Sequence, residues 1–158
     1  MSKTLIVYYS FEGNTKYACE VLAESIGAEL EALSPEKEPP HGGFRKFFWG
    51  GKSAVMGEKP SLAPLSHDPS SYDSVVVAFP IWAGTYPPAI GSFLEANSLE
   101  GKKVYVMACS ASGNAKKGIA KIASMVGGVE GELSLQDPLG DKEKASSLIK
   151  GFAKKYFE

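Results

Sequence analysis

Cysteine and histidine are scarce in this chain, and neither is spaced for metal binding or cross-linking. There are two cysteines, Cys19 and Cys109, and two histidines, His41 and His67. The cysteines are distant in sequence and form no CxxC pair, whereas disulfide frameworks and structural zinc sites need several closely spaced ligands. The sequence therefore predicts neither a disulfide framework nor a metal site.

An excess of charge of one sign and long apolar runs are also missing. Seventeen Lys and Arg stand against eighteen Asp and Glu, which gives a net charge of −1. Because nucleic-acid-binding proteins normally carry a basic excess, we expect no nucleic-acid partner. The apolar run over residues 5–9 is too short for a secretion signal, and the longest one, over residues 75–83, is too short to span a membrane. We therefore expect no membrane partner and a cytoplasmic location.

Glycine, by contrast, is abundant. The chain has 17 glycines in 158 residues, above the average of about 7%, without a collagen-like repeat. Hydrophobic residues make up 44% of the chain, enough for a packed core. The length suits one domain covering residues 1–158. The surplus of glycine indicates tight turns or close approaches of the backbone to other groups.

Apolar runs alternate with segments of helical periodicity along the chain. Strands are predicted over residues 5–9, 28–33, 75–79, 104–108 and 129–135. Helices are predicted between them, with an irregular helix over residues 44–56. Asp141 is predicted to cap a final helix whose apolar face contains Ala145, Leu148, Ile149, Phe152 and Tyr156. This order predicts an α/β fold, a doubly wound parallel sheet with helices on both faces.

Ligands of doubly wound sheets bind beyond the carboxyl ends of the strands, so we inspected the loops after the first, third and fourth strands. The first loop leads into a helix, whose free N–H groups suit a phosphate; Asn14 and Thr15 are alternatively ordinary helix caps. Trp82 in the second loop offers a stacking wall for a flat ring, or packs against the neighbouring helix. Ser110 to Asn114 form a third loop with accessible backbone amides, or a plain flexible turn. Cys109 is expected to be a small core residue near this site.

The three loops together resemble those of the flavodoxin family, and the likeness covers nearly the whole chain. The first resembles the family's phosphate loop [ST]-x-[TSE]-G-N-T, and the other two resemble its flavin loops. The resemblance implies a flavodoxin-like three-layer sandwich of the short-chain type. Its five-stranded parallel sheet has the order 2-1-3-4-5, with helices on both faces. The implied cofactor is non-covalently bound FMN.

The resemblance also implies a role for each loop. Side chains of the first loop and its backbone amides would hold the FMN phosphate; its residues are Ser10, Phe11, Glu12, Gly13, Asn14 and Thr15. In the second loop, Trp82 would cover the isoalloxazine ring and Gly84 would permit the peptide reorientation that the family uses on reduction; this loop contains Pro80, Ile81, Trp82, Ala83 and Gly84. The third loop would contact the pyrimidine edge through Ser110, Ala111, Ser112 and Gly113. No catalytic residue is predicted.

The sequence departs from the family pattern at two places. Glu12 replaces a hydroxyl residue of many flavodoxins, and we expect its carboxylate to point away from the phosphate. The third loop lacks an aromatic residue. The second face of the flavin would then be covered by Tyr86, Phe11, Trp49, a partner molecule or nothing.

The favoured function is electron transfer through bound FMN, with redox partner proteins or a small-molecule electron acceptor. The alternative is an FMN-dependent NAD(P)H/quinone oxidoreductase, in which a second subunit would complete the pocket. Carriers are typically more acidic than −1, and the basic residues Arg45, Lys46, Lys52 and Lys59 could receive a nicotinamide phosphate or an acidic partner. A cofactor-free regulator is a third hypothesis, disfavoured by the intact phosphate loop. The oligomeric state stays open.

Overall fold

The computed structural model describes residues 3–36 and 60–158, in which strands alternate with helices. The five strands are β1 (Thr4–Tyr8), β2 (Glu29–Ala32), β3 (Ser74–Pro80), β4 (Lys103–Ser110) and β5 (Gly131–Gln136). The four α-helices of these ranges are α1 (Asn14–Ile26), α2 (Pro88–Ala96), α3 (Lys116–Val126) and α4 (Lys142–Phe157). Two short 3₁₀ helices cover Pro69–Ser71 and Pro138–Gly140.

The strands form one parallel sheet with the order β2-β1-β3-β4-β5. Both the α/β class and this order are as predicted, and every strand begins and ends within two residues of its predicted bounds. Pro80 and Ser110, predicted to open loops, are instead the last residues of β3 and β4. Because all strands run in the same direction, their carboxyl ends lie along one edge of the sheet.

Helices cover both faces of the sheet, and alternate residues of each strand belong to different cores. Leu5 and Val7 of β1 pack in a core with residues of α2 and α3. Ile6 and Tyr8 pack in the opposite core with residues of α1 and α4. Successive side chains of a strand point to opposite faces, so a strand buried on both faces needs the unbroken apolar runs seen in the sequence.

The last helix begins as predicted, but one residue of its predicted apolar face is exposed. Asp141 Oδ1 accepts a hydrogen bond of 3.1 Å from the Lys144 N–H and caps the helix. Ile149 and Phe152 are buried in the core, and Ala153 joins them. Leu148 is 43% exposed, so its predicted burial is wrong. At about 100° per residue, Leu148 lies beyond one edge of the face that Ile149 and Phe152 share.

Residues 60–71 are held against the edge strand β2 by a polar cluster. His67 donates its backbone N–H to Glu31 Oε1 at 2.7 Å, and its ring Nδ1 lies 2.9 Å from the same oxygen. The other ring nitrogen lies 2.7 Å from Glu29 Oε2, which also accepts the Tyr72 hydroxyl at 3.0 Å. This cluster fixes the chain where it enters β3.

The helix predicted over residues 44–56, His41, Trp49 and the four basic residues named above lie outside the described residues. Within the described ranges, no helix is long and apolar enough to cross a bilayer. The same ranges contain no group of three or more His, Cys, Asp or Glu suited to a metal ion.

Candidate functional site

A pocket of about 330 Å³ lies at the carboxyl edge of β1, β3 and β4. This volume falls within the range of roughly 300–1,000 Å³ that is usual for small-molecule sites. All three predicted loops contribute to its walls. The lining residues are Ser10, Phe11, Glu12, Asn14, Thr15, Pro80, Ile81, Trp82, Ala83, Cys109, Ser110, Ala111, Asp137 and Pro138.

Four predicted site residues do not line this pocket: Gly13, Gly84, Ser112 and Gly113. The three glycines have left-handed backbone conformations, with φ of 101°, 78° and 79°. Glycine adopts this region at little cost, so these residues shape the loops that carry the lining groups. Ser112 is engaged within its own loop, where its Oγ accepts a hydrogen bond of 3.2 Å from the Asn114 N–H.

The first turn of α1 faces the pocket. Gly13 is the N-cap residue, and the side chain that accepts from an N–H of the first turn belongs to Ser10, so the alternative of Asn14 and Thr15 as ordinary caps is wrong. Ser10 Oγ accepts a hydrogen bond of 3.1 Å from the Lys16 N–H. The first N–H groups of a helix have no helical acceptor, and together they favour an anion. The start of α1 therefore has the N–H groups that an anion at this end of the pocket would need.

Two buried hydroxyl groups of residues that line the pocket have no hydrogen-bond partner among the described residues. They are Thr15 Oγ1 and Ser110 Oγ, and Thr15 is only 1% exposed. Leaving a buried polar group unpaired costs about 1–3 kcal/mol, and most such groups in proteins are paired. A polar ligand in the pocket would supply the missing partners.

The aromatic wall is formed by Trp82 and Phe11. Trp82 is partly buried and meets the rings of Tyr9 and Phe11 edge-on, with centroids 5.5 Å and 5.7 Å apart. Both Trp82 and Phe11 line the pocket, whereas Tyr86 packs against the core and Gly91. Phe11 and Tyr86 are the described residues that were expected to cover the second face of the flavin. Of these two, Phe11 lies at the pocket.

The third loop is tied to β5 by side chains of that strand. Gln136 Nε2 donates to the Ala111 carbonyl at 3.1 Å, and Ser134 Oγ donates to the Gly113 carbonyl at 3.1 Å. The alternative of a plain flexible turn does not account for these bonds. The loop is therefore held against β5 beside the pocket.

Cys109 lines the pocket although it is almost completely buried. Burial raises the pKa of its thiol to about 11. The nearby Thr15 hydroxyl lowers this pKa by a smaller amount than burial raises it. The hydroxyl and the thiol do not have the geometry of a hydrogen bond. The thiol stays protonated at neutral pH, and this agrees with the expected role as a core residue.

Asp137 and Pro138 are pocket residues that the sequence analysis missed. They follow β5, and the prediction of the site covers only the loops after the first, third and fourth strands. The same edge rule could have found them, since β5 is parallel to β4 and ends on the same side.

Comparison with known proteins agrees with this geometry. A family model described as Flavodoxin matches residues 3–133, and no curated protein matches the chain. A flavoprotein candidate of Bacteroides eggerthii is 22% identical with a TM-score of 0.78, covering 98% of each chain.

Two further solved structures share the fold. A flavoprotein of Lactobacillus acidophilus in complex with FMN is 23% identical with a TM-score of 0.73, over 92% of this chain and 99% of that one. A mutant flavodoxin of Fusobacterium nucleatum bound to FMN is 13% identical with a TM-score of 0.60, over 100% and 98%. With the family model matching most of its length, the chain belongs to the flavodoxin family.

Proposed function

We propose that this chain binds FMN non-covalently in the pocket and acts as an electron carrier. The observation that carries this proposal is the pair of buried, unpartnered hydroxyls of Thr15 and Ser110, which lie at the phosphate-binding start of α1 and at the end of β4. Support comes from the Lactobacillus acidophilus and Fusobacterium nucleatum proteins, which share the fold and bind FMN.

The residues present fit the parts of FMN. The first turn of α1 and the Thr15 hydroxyl would hold the phosphate without a lysine or arginine, neither of which lines the described pocket. Trp82 and Phe11, whose rings meet edge-on, would together form one wall beside the flat ring, and the end of β4 would offer Ser110 and the Ala111 backbone to its polar edge. Bound FMN supplies the redox chemistry; the side chains hold it, orient it and exclude water.

Electron transfer fits this site better than a reaction that needs an acid or base from the protein. Cys109 stays protonated because burial raises its pKa to about 11. The other ionisable residues of the described lining, Glu12 and Asp137, are exposed at the rim. The partners of such a carrier are redox proteins or a small-molecule electron acceptor, which meet the cofactor at the open side of the pocket.

An FMN-dependent NAD(P)H/quinone oxidoreductase is the second candidate function. It is favoured by the net charge of −1, because protein carriers generally dock through strongly charged complementary surfaces.

The identity and role of the cofactor can be tested on the purified protein. Flavin released by heat and identified by mass spectrometry should be FMN, and an apoprotein that neither contains nor takes up FMN contradicts the proposal. NAD(P)H oxidation with a quinone acceptor then distinguishes the two functions. A carrier gives rates no higher than an equal concentration of free FMN, whereas rates a hundred times higher establish the oxidoreductase.

A further inference from the structure

The exposed side of α3 carries lysines and no acidic residue. Lys116, Lys117 and Lys121 are all exposed, and the helix sequence KKGIAKIASMV contains neither Asp nor Glu. Among the described residues, none of these three lysines forms an ion pair. Their positive charges are therefore not neutralised by the part of the chain that the structure describes.

Two of these lysines share a row whose charges do not favour the helix. Lys117 and Lys121 are four residues apart, and like charges at this spacing repel each other on a helix surface. Lys117 also lies in the first turn, where the helix dipole disfavours a cation. Met125, the next residue of the row, is 48% exposed. We call these three residues the lysine row; the stability of α3 does not explain its charges, whereas contact with another protein does.

The lysine row lies beside the pocket. A Cβ at Gly118 would come within 2.9 Å of Ile81 Cδ1 and 3.5 Å of the Thr85 backbone, so the first turn of α3 packs directly on the loop that follows β3. Ile81 is one of the residues that line the pocket. At about 100° per residue, Lys121 lies about 60° and Met125 about 20° from Gly118 around the helix. The row is thus on the side of α3 that borders this loop.

The charges on the opposite side of the pocket are mixed. Glu12 and Asp137 line the pocket and are exposed, and the exposed Lys16 and Lys142 lie in the first turns of α1 and α4. Charges of both signs therefore occur on that side, whereas the α3 side has charges of one sign among the described residues. An acidic surface placed over the pocket would be attracted most strongly to the α3 side.

We propose that the lysine row docks an acidic redox partner protein, with carboxylates of the partner facing Lys117 and Lys121 and its redox centre over the open side of the pocket. This inference rests on the proposed electron-carrier function. Complementary charges steer the encounter and fix its orientation. A local row can do this although the net charge of the whole chain is only −1. One electron then passes from the reduced cofactor to the oxidised centre of the partner, and the lysines exchange neither a bond nor a proton.

Two forms of one haem protein test the sign of this docking surface. They are cytochrome c, which is basic, and its succinylated form, in which the lysines carry carboxylates. The FMN-loaded protein is reduced with one equivalent of dithionite, and stopped-flow absorbance follows the reduction of each haem. Because salt screens the attraction, the second-order rate constant for the succinylated form should fall about tenfold between roughly 0.01 M and 0.5 M ionic strength. A rate constant that rises with salt overturns the proposal.

Charge reversal then locates the surface. Lys117→Glu combined with Lys121→Glu should slow the reduction of succinylated cytochrome c about tenfold at low ionic strength and should accelerate that of cytochrome c. Lys150→Glu combined with Lys154→Glu is the matched control. It has the same spacing and the same change of net charge on α4, which covers the other face of the sheet. This control should change either rate less than about twofold, since these charges lie farther from the pocket. Equal effects of the two pairs would assign the effect to net charge and overturn the docking surface.

The cofactor content of the variants separates this inference from the proposed function. Neither Lys117 nor Lys121 lines the pocket, so FMN binding should be unchanged by their substitution. If charge reversal disturbs the fold, Lys117→Gln combined with Lys121→Gln tests the same surface and should slow the same reaction to a smaller extent. A wild type that holds no FMN, or that reduces neither acceptor, overturns the proposed function together with this inference. A loaded and active wild type whose rates do not change on substitution of the two lysines overturns the inference alone.

Discussion

Trp82 and Thr85 exchange two backbone hydrogen bonds, of 2.8 Å and 2.9 Å, and so close a two-residue turn at the pocket. The residues between them, Ala83 and Gly84, have φ of 50° and 78°. Positive φ at both central positions is the pattern of a type I′ turn. Alanine is strained in this region, and Ala83 is a residue that lines the pocket. The backbone beside the proposed ring site is therefore held in a conformation that its sequence only partly favours.

We expect Gly84→Ala to destabilise the protein by about 1 kcal/mol, because the new Cβ places a second strained residue in this turn. Gly151→Ala is a matched control, since Gly151 lies in α4 with open space around its Cα. That change should stabilise the protein by about 0.5–1 kcal/mol. Urea unfolding measures both, and equal effects of the two substitutions contradict the account of the turn.

Removing the aromatic wall should weaken the site. We expect Trp82→Ala to lower FMN affinity at least tenfold and to reduce stability, because Trp82 also packs edge-on against Tyr9 and Phe11. Trp82→Phe keeps an aromatic ring and should recover most of both losses. Quenching of flavin fluorescence on titration reports the affinity. An unchanged affinity in Trp82→Ala would mean that this ring does not contact the flavin.

The raised pKa of the Cys109 thiol predicts that the protein loses stability at alkaline pH. Burial raises the pKa of its thiol from the ordinary value of 9.0 to about 11, so folding favours the protonated form. The stability that the protonated thiol contributes is fully present below about pH 9 and is lost as the pH rises to about 11. A pKa difference of this size corresponds to roughly 3 kcal/mol in the free energy of unfolding.

The buried tyrosines and Cys19 also have raised pKa values, so the test compares Cys109→Ala with the wild type. The free energy of unfolding, measured by urea at several pH values, should fall less steeply for Cys109→Ala between pH 9 and 11. Parallel curves for the two proteins would show that the thiol does not titrate as expected.

The exposed and buried residues of α4 give a simple check of the fold. Leu148 is 43% exposed and its neighbour Ile149 is fully buried. Leu148→Gln should change the free energy of unfolding by less than about 0.5 kcal/mol, whereas Ile149→Ala should cost about 2–5 kcal/mol. A large loss in Leu148→Gln would place that side chain in a contact that the structure does not show.

Sequence periodicity predicted the strands of the sheet well because they are buried on both faces, whereas the strand order was implied by the resemblance to the flavodoxin family. An unbroken apolar run such as residues 75–79 lacks the polar positions of an amphipathic helix or of a half-exposed strand. A strand buried on both faces was therefore the main structure that the run could form. The face of α4 was harder to predict, since Leu148 and Ala153 lie near opposite edges of its apolar side. Only the packing against the sheet decides which of them is covered.

The site was predicted where it depends on local motifs and missed where it depends on tertiary contacts. The loop from Ser10 to Thr15 carries its own pattern of glycine and hydroxyl residues. Asp137 has no such motif, and its position depends on a bond to Ser110 and on space beside Gly140. Likewise, nothing local shows that the amide of Asn14 binds the Leu139 N–H.

Calorimetric titration of the apoprotein with FMN, repeated for two threonine variants, tests the central claim most directly. The hydroxyls of Thr15 and Thr85 are both buried and unpartnered among the described residues, but only Thr15 lines the pocket. Valine should leave the stability equal or higher at both positions, because it removes an unpaired polar group. The account predicts one FMN per chain, at least tenfold weaker binding in Thr15→Val and unchanged binding in Thr85→Val. No saturable binding, or equal affinity in Thr15→Val and the wild type, would contradict it.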